Sequence, residues 1–176
     1  MHPFFFYCLV GLGTLAGVVV LISVIGAFLP RTHQVSRSLP LKQTPETIWQ
    51  VISDFPSEVS WHPGVLKVER MPDRNGHEVW RETYKGGYPI QLETIETVPP
   101  RRLVRSIADE QGPFSGRWEF DIAPVESGSR VTLIEYGEVG NPFFRFMARM
   151  FMNPAHSLEL YLKALAAKFG EPPAVE

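Results

Sequence analysis

Asn153-Pro154-Ala155-His156-Ser157-Leu158-Glu159-Leu160-Tyr161-Leu162-Lys163-Ala164-Leu165-Ala166-Ala167-Lys168-Phe169-Gly170 reads as one helix with one apolar face. Leu158, Tyr161, Leu162, Leu165 and Phe169 recur at helical spacing, and Glu159 and Lys163 face away four residues apart. Asn153-Pro154 is a cap-then-proline start, and Gly170 with Pro172-Pro173 is the stop. Such a helix must bury its stripe against something. The segments upstream supply the partner.

Six extended segments precede it: His33–Lys42, Val65–Arg70, Glu78–Tyr84, Ile90–Val98, Leu103–Asp109 and Arg117–Ile122, with a seventh at Arg130–Glu138. Turn residues separate them at Asp73-Arg74-Asn75-Gly76, Gly86-Gly87, Pro99-Pro100, Gln111-Gly112-Pro113 and Ser127-Gly128. Short links between successive strands imply an antiparallel meander. Between the first two strands, Thr44-Pro45-Glu46 opens a helix with Thr44 as N-cap, Ile48, Ile52 and Phe55 share its face, and Asp54-Phe55-Pro56 closes it. The order is strand, helix, strand meander, long helix. An α+β fold, with a curved antiparallel sheet wrapped around the C-terminal helix, buries every apolar face.

The first thirty of the 176 residues contain no Asp, Glu, Lys or Arg, so all 17 basic and 19 acidic residues fall beyond Pro30. The run Pro3 to Leu29 exceeds the roughly 20 helical residues that a bilayer core needs. A cleaved signal peptide would carry a basic start and a shorter apolar stretch of about 7–15 residues, and Ile25-Gly26-Ala27 is a poor cleavage site. Residues 1–30 therefore read as a single membrane anchor, 31–172 as one domain and 173–176 as a tail. Arg31, Arg37 and Lys42 follow the anchor before any acid, which places the domain on the cytoplasmic side of the cell membrane. The near-neutral domain excludes a nucleic-acid footprint, which would gather Lys and Arg. Cys8, the lone cysteine, lies in the apolar run and forms no internal disulfide.

Five pieces, in order, carry a family likeness: Thr44-Pro45-Glu46-Thr47-Ile48-Trp49, Trp61-His62-Pro63-Gly64-Val65, Gly116-Arg117-Trp118-Glu119-Phe120, Ser129-Arg130-Val131-Thr132-Leu133 and Leu160-Tyr161-Leu162-Lys163-Ala164-Leu165. From Val35 to about Gly170 the chain resembles the START-like superfamily, also called SRPBCC, and within it the bacterial polyketide cyclase/dehydrase and lipid-transport group. The resemblance implies a helix-grip fold with a hydrophobic cavity between sheet and C-terminal helix. It implies carriage of a lipid or other hydrophobic molecule or, in some members, catalysis. The anchor departs from the soluble pattern and points to ligands drawn from a membrane.

The residues themselves narrow the chemistry. His2, His33, His62, His77 and His156 show no metal-ligand spacing, and there is no phosphate loop or Gly-x-Ser-x-Gly elbow. Neither metal nor cofactor is expected. Glu82 and Glu135 sit in alternating strands, where a cavity-facing carboxyl would be desolvated and suited to proton transfer. The alternative is that both face water. By the resemblance His62 lies near a cavity mouth, where it serves either as a base or as the residue that fixes the turn before Pro63.

Strand alternation sends part of the set Trp80, Tyr84, Trp118, Phe120 and Tyr136 inward. With Trp61, His62, Phe143, Met147 and Tyr161 they form the expected ligand-binding set; no residue is assigned as catalytic. Three functions remain open. One is membrane-tethered binding or carriage of a lipid, isoprenoid or aromatic molecule. Another is a cyclase or dehydratase using a cavity carboxylate or His62, and the third is an interaction module with a filled core. Finally, Phe143-Phe144-Arg145-Phe146-Met147-Ala148-Arg149-Met150-Phe151-Met152 is apolar nearly all round. Either it is core with both arginines reaching water, or it lies on membrane lipid with both arginines reaching head groups.

Overall fold

The computed structural model describes residues 3–108, 112 and 114–176. Helix α1 (Pro3–Phe28) leads into β1 (Thr32–Leu41), then α2 (Pro45–Ser53), a single 3-10 turn at Phe55–Ser57 and the short α3 (Glu58–Trp61). A meander follows: β2 (Val65–Arg74), β3 (His77–Tyr84), β4 (Ile90–Val98), β5 (Arg102–Ile107), β6 (Phe114–Val125) and β7 (Gly128–Val139). Helices α4 (Pro142–Phe151) and α5 (Ala155–Lys168) close the chain. The turn expected at Gln111-Gly112-Pro113, apart from Gly112, and the strand end at Asp109 lie outside the described residues.

The caps act as their residues dictate. Thr44 Oγ1 accepts from Thr47 N–H at 3.3 Å, and Asn141 Oδ1 accepts from Phe143 N–H at 2.9 Å. Asn153 Oδ1 accepts from Ala155 N–H at 3.0 Å, so Pro154 stands just before α5 and separates it from α4. Gly170, at φ +67°, stops α5.

The sheet has seven strands in the order β1-β7-β6-β5-β4-β3-β2, every pair antiparallel. Its register defines the concave face. Glu82 lies opposite Ile90, Arg105 opposite Trp118, and Leu103 opposite Phe120. Helix α5 fills one half of that concavity: Leu158, Leu162 and Leu165 are fully buried against Leu39, Ile48, Val131 and Leu133. Each such side chain contributes roughly 1.5–3 kcal/mol by leaving water. This is the helix-grip architecture. The last residues add to the sheet edge, where Glu176 N–H donates to Ser38 O at 2.8 Å and Ser38 N–H donates back at 3.0 Å.

Within α1, Tyr7–Phe28 forms a 22-residue stretch that is long and apolar enough to cross a membrane. Its last turn packs on α4. At Gly13 and Gly17, the pair that suits close helix packing, a Cβ would meet nothing within 4 Å among the described residues.

Candidate functional site

Where α5 meets β3 to β7 the concavity is not filled. A cavity of about 250 Å³ remains, with walls of Ile90, Leu92, Trp118, Phe120, Leu133, Leu158 and Leu160. At one end a polar cluster interrupts this apolar lining: Glu58, His62, Glu82, Tyr84, Arg105 and Tyr161. A second hollow of about 500 Å³, more open and more polar, lies over the ends of β1, β6 and β7 and includes Thr32, Gln34, Arg117 and Tyr136.

The cluster is built on an ion pair. Glu82 on β3 and Arg105 on β5 are 1% and 5% exposed, and Arg105 Nη1 donates to Glu82 Oε1 at 2.5 Å. Tyr84 donates its hydroxyl to the other oxygen, Glu82 Oε2. The Arg105 guanidinium carbon sits 3.9 Å above the centre of the Phe55 ring, a cation–π contact made in a desolvated place. Arg105 Nε and Nη2 are buried without a hydrogen-bond partner among the described residues.

Helix α3 brings the next two groups. Glu58 opens it and is buried; desolvation, reinforced by the Glu82 charge and opposed by Arg105, pushes its carboxyl up to about 8. Glu58 therefore keeps its proton at neutral pH. His62 follows the helix, and its Nδ1 accepts from Gly64 N–H at 3.1 Å. That bond fixes the turn and leaves the ring proton of neutral His62 on Nε2. Burial lowers the His62 pKa, so the ring is neutral. Burial chiefly, then the charge of nearby carboxylates, raises the pKa of Tyr84 and of Tyr161. The cluster thus presents protonated groups around one internally paired ion pair.

Of the residues expected to contact a ligand, His62, Tyr84, Trp118, Phe120 and Tyr161 line the cavity. Trp61 lies behind it, edge-on to Tyr161 at 5.3 Å between ring centres. Trp80 shares the concave face but packs on Phe55 at 5.8 Å. Tyr136 is on the other face, under the Arg117 guanidinium at 4.2 Å. Phe143 and Met147 belong to α4, away from the cavity.

Glu135 does face the concave side. It is engaged by His33 Nε2 at 3.1 Å, Trp118 Nε1 at 2.8 Å and Ser157 Oγ at 3.1 Å. Sequence reading missed Glu58 and Arg105. Arg105 had a signal, since it shares the inward parity of Leu103. Among the described residues no group of His, Cys, Asp and Glu could hold a metal ion.

The family described as polyketide cyclase/dehydrase and lipid transport matches residues 32–170. The chain belongs to this family. Membership supports a domain that binds a hydrophobic ligand. Solved structures share the fold at low identity. A START superfamily protein from Mycobacterium smegmatis is 19% identical with a TM-score of 0.57, over 77% of this chain and 96% of that one. The Zhui aromatase/cyclase of a Streptomyces species is 14% identical with a TM-score of 0.60, over 78% and 93%. A Thalictrum norcoclaurine synthase, solved with a transition-state analogue, is 13% identical with a TM-score of 0.62, over 78% and 93%. No curated protein matches the chain in sequence.

Proposed function

We propose that this family member is a membrane-tethered binding protein for a small, uncharged, hydrophobic molecule of one or two rings, bearing an oxygen that accepts hydrogen bonds. The carrying observation is the apolar cavity with its protonated end. A cavity of about 150 Å³ holds a benzene molecule, so about 250 Å³ suits a fused ring system or the end of a chain, not a whole lipid. At the polar end, Glu58, Tyr161 and His62 Nε2 supply protons, while the Arg105 charge is already matched by Glu82. A ligand carboxylate would add an unmatched charge there. Helix α1 supports tethering, and Arg31, Arg37 and Lys42 after it favour a cytoplasmic domain. The cavity-lining members of the expected set are the proposed ligand contacts: His62, Tyr84, Trp118, Phe120 and Tyr161.

The test is native mass spectrometry of the full chain purified from its own membrane, beside a Leu92→Trp variant that fills the cavity. The reading expects a bound small molecule on the parent that the variant lacks. Equal adducts on both, or none on the parent, overturn it.

One observation favours a second reading, a cyclase or dehydratase. Glu58 holds a proton at neutral pH inside the cavity, as a general acid must. Dehydration of the bound molecule would release water and leave a product lighter by that mass, and Glu58→Gln would stop that loss while retaining the adduct. The third function, an interaction module, required a filled core.

A further inference from the structure

Helix α4 belongs to neither the cavity nor the main core, yet it packs on the end of α1. The Pro142 carbonyl lies so close to Gly26 that a Cβ there would overlap it. Arg145 is 5% exposed and, among the described residues, has no acidic partner; its hydrogen bonds there go to backbone. Its Nη1 donates to Gly26 O at 3.0 Å, in the last turn of α1, and to Leu29 O at 3.3 Å, just past its end. Nε and Nη2 donate to Val139 O at 3.0 Å and Gly140 O at 2.8 Å, where β7 ends. The negative end of the α1 dipole thus meets a buried cation. The sequence sends both arginines of this helix outward, to water or to head groups; Arg145 instead clasps α1, and of the two Arg149 alone is exposed.

At about 100° per residue, Met150, Phe143, Met147, Phe151 and Phe144 fall on one arc of about 120°. Arg145 and Arg149 lie off that arc. Phe144, Met150 and Phe151 are 42%, 61% and 73% exposed. Phe143 and Met147 are half-buried and Phe144 leans on Phe114 at 6.4 Å between ring centres, but the Met150 and Phe151 end of the arc stays open among the described residues, and depth identifies what meets it. The 22 residues Tyr7–Phe28, at about 1.5 Å each, span about 33 Å against a hydrocarbon core of about 30 Å. Gly26 therefore sits at the bilayer boundary, and α4, in contact with Gly26, sits there too.

We infer that α4 is an interfacial foot: its Phe and Met arc lies in the acyl boundary of the bilayer that α1 crosses, and Arg145 locks foot to anchor so that the domain is held in one orientation. This rests on the tethered reading. It leaves the cavity aside, because α4 does not line it and is no lid over it.

The test uses the full chain in phosphatidylcholine/phosphatidylglycerol vesicles, with Cys8→Ser throughout and one spin label per variant. Labels go to Val19→Cys in α1, Phe151→Cys and Met150→Cys in α4, and Asn75→Cys in the β2–β3 turn as the aqueous reference. Relaxation by oxygen, which concentrates in lipid, is compared with relaxation by a water-soluble nickel chelate. The foot expects oxygen to dominate at Val19→Cys, Phe151→Cys and Met150→Cys, and the chelate to dominate at Asn75→Cys. Lipid exposure at Val19→Cys with chelate exposure at both α4 positions overturns the foot and spares the tether. Shielding of the α4 labels from both reagents means that protein covers the arc, which also overturns it. Chelate exposure at Val19→Cys overturns the tethered reading itself.

The clasp is read by adding Arg145→Leu or, separately, Gly26→Val to Phe151→Cys. Either change should lower the oxygen preference at that label while a label at Val19→Cys keeps its own. An unchanged preference in both variants refutes the clasp.

Discussion

Glu58→Gln should raise stability, and by an amount that grows with pH. In the unfolded chain the carboxyl ionises around 4.5; in the folded protein burial holds it protonated up to about 8. Between those values the folded state binds a proton that the unfolded state has released. The stabilising contribution is therefore complete below pH 4.5, declines as pH rises, and is gone above about 8. At about 1.36 kcal/mol per pH unit, that interval sets a ceiling of about 5 kcal/mol, of which about 3 kcal/mol is lost by pH 7. Glutamine has nearly the shape of protonated glutamate and does not titrate.

The assay is urea unfolding of the full chain in a non-ionic detergent, followed by tryptophan fluorescence from pH 4 to pH 9, for parent and variant. Groups common to both cancel in the difference, which should be near zero at pH 4.5 and several kcal/mol in favour of the variant by pH 8. A direct companion is the Glu58 Cδ resonance, which should move at about pH 8. A pH-independent difference, or a resonance that titrates close to 4.5, refutes the claim that burial governs this carboxyl.

Arg105→Met strands the buried Glu82 charge and should cost about 3–5 kcal/mol; Arg105→Met with Glu82→Leu should recover most of that in the same unfolding assay. Trp118→Ala enlarges the cavity and should lower the adduct fraction in native mass spectra about tenfold. Leu165→Ala, behind the wall, should cost about 2–5 kcal/mol and leave the adduct fraction unchanged at equal folded fraction. Deleting residues 1–30 should leave the sheet's circular dichroism intact, since among the described residues none of α1 enters the main core. Amide exchange in α4 should then quicken, because Arg145 loses its Gly26 and Leu29 acceptors.

The meander and both long helices were legible because their signals are local. Thr44, Asn141 and Asn153 each mark a helix start, and strand alternation places Leu103, Phe120 and Leu133 on one side. Strand parity also separates Tyr136 from Glu135, and applying it strictly would have set Tyr136 outside the ligand set. Three features had no local signal. Glu58 begins a single helical turn in a segment that reads as loop, so nothing marks it as inward-facing. Arg145 takes two of its four acceptors from the far end of the chain, at and just past the last turn of α1. The pairing of Glu176 with Ser38 likewise joins the two ends of the domain.

The cavity and its charged end make more sense together than apart. Empty space in a core forgoes packing energy at roughly 24 cal/mol per Å³, about 6 kcal/mol for a cavity of about 250 Å³. Burying Glu82 and Arg105 beside it brings no offset, since apolar replacements of a buried pair are often neutral or stabilising by about 1–4 kcal/mol. Both costs fall on one half of the concavity. The other half, where Leu158, Leu162 and Leu165 meet Leu39 and Val131, is closely packed. A sequence that packs half its core so well has the means to fill the rest: larger side chains at Leu92 or Leu133 would do it. The polar cluster is also oriented, with Tyr84 tying one Glu82 oxygen, Arg105 tying the other, and protonated Glu58 at the same end. Fold stability accounts for neither the space nor this orientation. The proposed guest, filling the space and taking a hydrogen bond from Glu58, would account for both, and Leu92→Trp should then stabilise the ligand-free domain while abolishing binding.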